Sequence, residues 1–246
     1  MNHLIAPDIL RDLAPTGLLR AAINLGNPVL AQTDAVTGEP RGTSVDLAQA
    51  LAQRLGVALK TQTFDGAGKV FAAAESGQWD VAFLAIDPLR AEQILFTAPY
   101  VIIEGTYLVR NSSALRQIED FDQPGVRIAV GRGAAYDLYL TRALKHAQLV
   151  RAETSVAAID LFDTDALEAV AGVRQPLEAA VLARPDWRVV PGRFTAIEQA
   201  MGTPRGREAG RQYLRGFIEE MKASGFVVQA LARSGQQAGI APAAPL

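Results

Sequence analysis

Asp87-Pro88-Leu89-Arg90 sets a carboxylate and a guanidinium three residues apart, just past the apolar run Trp79–Ile86. A guanidinium is a planar fork that meets a carboxylate through two parallel hydrogen bonds. The run reads as a buried strand, the Asp-Pro step breaks it, and Phe96–Tyr100 reads as a second apolar strand. Strand, loop with one cation, strand puts a fixed charge at the carboxyl end of a sheet, where open α/β folds bind ligands. Arg90 is therefore the expected anchor for a small anionic ligand. The alternative is a surface arginine paired with Glu92 or Asp87. A second candidate is Arg132-Gly133-Ala134, a strand-to-helix turn whose free backbone amides suit an anion. Its alternative is an ordinary turn glycine.

The composition limits the other chemistries. The chain has 246 residues, 49% hydrophobic and 20% charged, with a formal net charge of −2. That is enough for a large core, in one large or two smaller domains, and it argues against a nucleic-acid surface. Without cysteine there is no disulfide and no thiolate chemistry. The two histidines, His3 and His146, are too few for a histidine-rich metal site, and a Ser-His-Asp triad would have to use one of them. His146 follows Lys145 and reads as solvated surface. No pattern asks for a cofactor. The apolar runs fall far short of the ~20 residues of a membrane span. Met1–Asp8 has neither a basic start nor a long apolar centre, so it does not read as a signal peptide. As written, the chain is expected in the cytosol, or in the periplasm if a leader has been removed.

The elements that must position these groups follow from periodicity. Leu18–Leu25 reads as a strand ending in the polar loop Asn24-Leu25-Gly26-Asn27-Pro28, and 34–43 as a hairpin-like excursion. Ser44 is the expected N-cap of a helix over Val45–Leu55, with Gly56 as its C-cap. A strand at Val57–Phe64 and a helix at Ala67–Glu75 complete a β-α-β-α-β order, which predicts a parallel sheet covered by helices. Glu104-Gly105 inside the strand Val101–Val109 predicts a bend, a bulge or a crossing between domains. A second β-α-β-α-β set begins at Val126. Thr203 is the expected cap of a long amphipathic helix from about Pro204, then a short helix covers Phe226–Arg233, and 236–246 is an expected frayed tail.

Several segments in this order resemble the solute-binding proteins of amino-acid ABC transporters, family 3. They are Pro15-Thr16-Gly17-Leu18-Leu19-Arg20, Gly42-Thr43-Ser44-Val45-Asp46-Leu47-Ala48, Trp79-Asp80-Val81-Ala82 through Arg90 to Phe96-Thr97-Ala98-Pro99-Tyr100, Val126–Gly133 and Met221–Phe226. The resemblance covers about residues 15–233. It implies an α/β, two-lobed type II periplasmic-binding-protein-like fold with two hinge crossings, near Val101–Glu104 and Ile197–Met201. Lobe one would be 1–102 with 199–246, and lobe two 103–198, with a ligand in the cleft. It implies a monomer, without a membrane span, that serves an ABC permease. Arg90 matches the family arginine that forks onto a ligand carboxylate.

The departures from the family pattern shape the expected ligand. Asp87 stands near a position usually held by Ser or Thr, where it repels an anion unless Arg90 neutralises it, or else takes a ligand cation. Ala134 and Ala135 replace the hydroxyl residues that usually follow Gly133. The aspartate expected to pair with an ammonium falls on Val173, with Arg174 next. The aromatic shelf near the first strand falls close to Asn27, which leaves Phe64 and Tyr100 as candidate aromatic walls, with core packing as their alternative. Arg132 and Arg174 would add positive charge to the cleft. The preferred ligand is thus an organic acid without an amine, with one or two acidic groups, rather than a standard amino acid. Some relatives are cyclohexadienyl dehydratases acting on compounds such as prephenate, and there Glu104, Glu168 or Asp87 would serve as the acid if burial raised its pKa. No catalytic residue is assigned.

Overall fold

The apolar periodicities condense as two parallel β-α-β sets. The computed structural model describes residues 5–245, so His3 lies outside the described residues. In chain order the elements are α1 (Pro7–Leu13), β1 (Leu18–Asn24), the hairpin β2 (Gln32–Thr33) and β3 (Pro40–Arg41), α2 (Thr43–Leu55), β4 (Ala58–Phe64), α3 (Ala67–Glu75), β5 (Val81–Ala85), α4 (Pro88–Ala91) and β6 (Ile94–Arg110). A 3-10 turn at Ile118–Phe121 leads to β7 (Arg127–Gly131), α5 (Ala135–Ala143), β8 (Gln148–Ala152), α6 (Ser155–Thr164), β9 (Ala169–Val173), α7 (Arg174–Ala183) and β10 (Trp187–Val189). The chain finishes with β11 (Thr195–Pro204), α8 (Glu208–Ala223), α9 (Phe226–Arg233) and β12 (Gly239–Ile240).

The chain divides into two compact units. The first runs to Asp65, takes Lys69–Ile102 and resumes at Glu198; the second holds Gly66–Gly68 and Ile103–Ile197. In the first, β1 lies between β4 and β5 and pairs parallel with both, and β11 adds antiparallel to β5. Every residue of β5 is buried, as an unbroken apolar run in a covered parallel sheet requires. In the second, β7 lies between β8 and β9 and pairs parallel with both, while the carboxyl half of β6 pairs antiparallel with β9 and β10. Phe162, Val170, Leu177 and Trp187 lie at the heart of its core.

Three local expectations are corrected. Ser44 is not the N-cap: α2 begins two residues earlier, at Thr43 behind Gly42, whose φ of 116° and 2.7 Å spacing from a notional Cβ to the Leu30 carbonyl admit only glycine. The Ser44 amide donates instead to that carbonyl at 3.0 Å. Thr203 caps nothing, because β11 runs on through it to Pro204 and α8 starts only at Glu208. Of the bend, bulge or crossing expected at Glu104-Gly105, the structure has the crossing: β6 continues for 17 residues while the chain passes from one unit to the other at Ile102–Ile103. Gly105 is needed because a Cβ there would meet the Phe194 ring at 2.8 Å.

The third correction is the tail. Gly239 and Ile240 pair with Ile102 and Val101, and the Ala241 amide donates to the Tyr100 carbonyl at 3.1 Å. Lys222 Nζ donates to the Pro242 carbonyl at 2.8 Å, and the Ala244 amide to Glu219 Oε2 at 3.1 Å. Composition alone suggested fraying, whereas partners on α8 and β6 order the segment. Ending the chain at Gly235 is expected to cost about 1–3 kcal/mol, at roughly 0.5–1.5 kcal/mol per net hydrogen bond lost. Calorimetry should show a melting temperature lower by about 2–12 °C. An unchanged value would mean that the tail contributes no stability.

Candidate functional site

In the first unit, the end of β5 carries the pair that the sequence singled out. Asp87 caps α4: its Oδ1 accepts the Leu89 amide at 2.9 Å. One turn of helix then brings Arg90 round to the same inward side, while Pro88 and Leu89 face out. Arg90 is 1% exposed, so the alternative of a surface arginine fails. Its guanidinium donates to the Ala85 carbonyl at 2.9 Å. Burial pulls its pKa down to about 10, and the nearby Asp87 carboxylate opposes that shift. The group stays charged at neutral pH.

The remaining candidates of this unit divide between loop and core. Asn24 Oδ1 accepts the Gly26 amide at 3.0 Å and shapes the loop after β1. Asn27, in the same loop, is buried, and its Oδ1 has no hydrogen-bond partner. Phe64 ends β4 half-buried, its carbonyl accepting the Leu25 amide at 2.8 Å. Tyr100 is corrected to a core residue: it is wholly buried, and burial pushes its phenol pKa up. A residue missing from the expectations is Asp80 at the start of β5. It is fully buried and binds Arg20 at 2.7 Å and Arg207 at 2.8 Å.

In the second unit, the expected anion turn is already filled. The Gly133 amide donates to Asp137 Oδ2 at 2.8 Å, and the Ala134 amide to the Gly131 carbonyl at 3.1 Å. The expectation of free amides at this turn is thus corrected by the chain's own carboxylate. Asp137 lies in the first turn of α5, where an acid suits the helix dipole. That spacing was the available signal for it.

The cations expected to enrich the cleft are also compensated. Arg132 is exposed and pairs with Glu153 at 3.3 Å. Arg174 Nε donates to Glu104 Oε2 at 2.7 Å, and Arg193 binds the other oxygen at 3.2 Å. Those contacts, Arg174 first, hold the Glu104 carboxyl below its usual range. A general acid needs the opposite shift. Glu168 is held low in the same way by Arg127. Val173 ends β9 half-buried and brings no charge. Among the described residues, no group of three or more His, Cys, Asp or Glu could hold a metal, and no helix is long and apolar enough to cross a membrane.

Two α/β units, each with a parallel β-α-β core and joined through β6 and β11, define the type II periplasmic-binding-protein fold class. The chain belongs to the bacterial extracellular solute-binding proteins, family 3, whose sequence model matches residues 19–235. Solved structures agree in fold. A mutant of ArgBP from T. maritima has a TM-score of 0.79 at 21% identity, covering 92% of this chain and 99% of its own. The cysteine-binding protein of Campylobacter jejuni has a TM-score of 0.78 at 17% identity, covering 92% of each chain. The amino acid ABC transporter substrate-binding protein AbpA of Streptococcus pneumoniae, bound to L-arginine, has a TM-score of 0.77 at 20% identity, covering 90% and 96%. No curated protein matches the chain in sequence.

Proposed function

We propose that this chain captures a small solute bearing one carboxylate, an amino acid in the first instance, and delivers it to an ABC permease. The observation that carries the reading is Arg90, a guanidinium kept charged at 1% exposure beside the carboxyl end of β5. Burying a cation costs several kcal/mol unless an anion offsets it, and strongly perturbed groups of this kind gather at functional sites. The adjacent Asp87 carboxylate offsets part of that cost, and a solute carboxylate approaching the end of β5 would add a second anion. Asp87, on the same side of α4, supplies the opposite charge, which suits an ammonium.

Two further points support the choice of solute. Arg132 and Arg174, which favoured a diacid in the sequence, are paired with Glu153 and Glu104. The similar proteins are described with arginine and cysteine. Together these weigh against the organic diacid, although Val173 in place of the usual aspartate still favours an amine-free monocarboxylate as the second reading. The family is described as extracellular, so we place capture outside the cytoplasmic membrane rather than in the cytosol. We take the working form as a monomer of two lobes, 1–102 with 199–246 and 103–198.

Isothermal titration calorimetry against arginine, lysine, glutamine, cysteine, lactate, succinate and prephenate tests the reading. Binding of one or more amino acids with Kd in the micromolar range or tighter is expected. Binding of succinate or prephenate alone would sink it, and turnover of prephenate would restore the dehydratase alternative.

A further inference from the structure

We infer that the first unit carries an amide subsite beside the Arg90 loop, made by Asn27 and Gln199, which restricts the solute to amino acids with a polar side chain. This deepens the proposed function and rests on it.

The topology puts these residues at one edge of one sheet. β5 lies between β1 and β11. Asn27 follows the carboxyl end of β1, which runs parallel to β5 with Ala22 beside Ala82. On the other side, Gln199 of the antiparallel β11 stands opposite Ala85, the last residue of β5. Arg90 comes just after that residue and donates to its carbonyl. The chain leaves β1 for β4 on one side and returns to β5 on the other. The loops after β1 and β5 therefore part, and open α/β sheets take their ligands at such a point.

Both amides are buried, Asn27 at 7% and Gln199 at 6% exposed. Asn27 Oδ1 has no hydrogen-bond partner among the described residues. The loop is shaped without it: the Leu30 and Ala31 amides donate to the Asn27 carbonyl at 3.0 and 3.1 Å, and Asn24 Oδ1 takes the Gly26 amide. Gln199 is fixed through its backbone by the pairing of β11 with β5. Buried polar groups are almost always bonded, to protein, water or ligand, and a stranded acceptor destabilises the fold. A side-chain amide offers one acceptor and two donors. It is matched by an amide, hydroxyl, guanidinium or ammonium of the solute. An alkyl or aromatic side chain would leave the acceptor stranded.

Calorimetric titration of the wild-type protein with near-isosteric pairs, glutamine against methionine and threonine against valine, reads the preference. The polar member of each pair should bind about 5- to 150-fold tighter, the range set by a lost hydrogen bond and a stranded buried acceptor. Asn27→Leu keeps the branching and removes the acceptor. In that variant the preference should shrink to within about threefold, while the melting temperature without solute holds or rises. An amide with a merely structural role would lower the melting temperature instead. Gln199→Met should also reduce the preference. If amino acids bind but both pairs lie within about twofold, this inference falls and the proposed function stands. If no amino acid binds, both fall. The wild-type pairs need no variant, so the inference can fail even if Asn27→Leu does not fold. A folded Asn27→Leu that keeps the full preference, or that melts more than about 2 °C lower, would equally overturn it.

Discussion

Arg90→Ala is expected to lose solute binding by two to three orders of magnitude. A bidentate guanidinium–carboxylate contact contains two charge-assisted hydrogen bonds, each worth roughly 1.5–3 kcal/mol. Losing both costs about 3–5 kcal/mol, or roughly 150- to 4,000-fold in Kd. Arg90→Lys keeps the charge but not the fork, and a loss of about 10- to 50-fold is expected from one surviving bond. Calorimetric titration of the best-binding amino acid reads both. Arg90 also donates to the Ala85 carbonyl and lies against Asp87, so the variants must first be shown to melt cooperatively. Kd within threefold of wild type in a folded Arg90→Ala would show that the carboxylate is held elsewhere.

The second large effect is on stability and lies at the other end of β5. Asp80 accepts four hydrogen bonds: Arg20 N at 3.1 Å, Arg20 Nε at 2.9 Å, Arg20 NH2 at 2.7 Å and Arg207 NH1 at 2.8 Å. Arg207 also donates to the Asp12 carbonyl, and Arg20 to that of Gly77. One carboxylate therefore ties together the end of α1, strands β1 and β5, and the approach to α8. Breaking a buried ion pair by removing one partner typically costs 3–5 kcal/mol. The two arginines are about one-fifth exposed and can recover some hydration, so Asp80→Ala should cost about 3 kcal/mol. The melting temperature should fall by roughly 6–12 °C. Solute affinity per folded molecule should stay within a few-fold of wild type. A fall of less than 2 °C would mean that the clip is not a principal source of stability in this unit.

Much of the fold was legible because it is local. The alternation in 57–64, the unbroken apolar run after Trp79, the stripe Leu214–Phe217–Ile218–Met221 and the left-handed Gly56 each depend on neighbours within a turn or two of chain. Those signals sufficed for the parallel β-α-β order in both units. The importance of the Asp87–Arg90 step was also local, since a carboxylate at the cap and a guanidinium three residues on must share a side of the helix. The Gly133 turn was found the same way, but the state of its amide was not.

What the tertiary structure decided depends on partners far away in sequence. Asp80 looked like an ordinary strand-start acid until Arg20 and Arg207 met on it, 60 and 127 residues distant. Gly105 left a bend, a bulge and a crossing open, and only the packing of Phe194 against it shows that the strand runs on. The tail read as frayed by composition, but α8 and β6 supply its hydrogen bonds. Arg132, Arg174 and Glu104 looked like free charges until Glu153 and Arg193 compensated them. The physical reason is common to all of these. Periodicity records which side of an element is buried, whereas the charge state and availability of a polar group depend on what that side meets. For this protein the sequence alone determined the elements, the family and the residue to test first; only the packed chain decided which of its charges pair with one another.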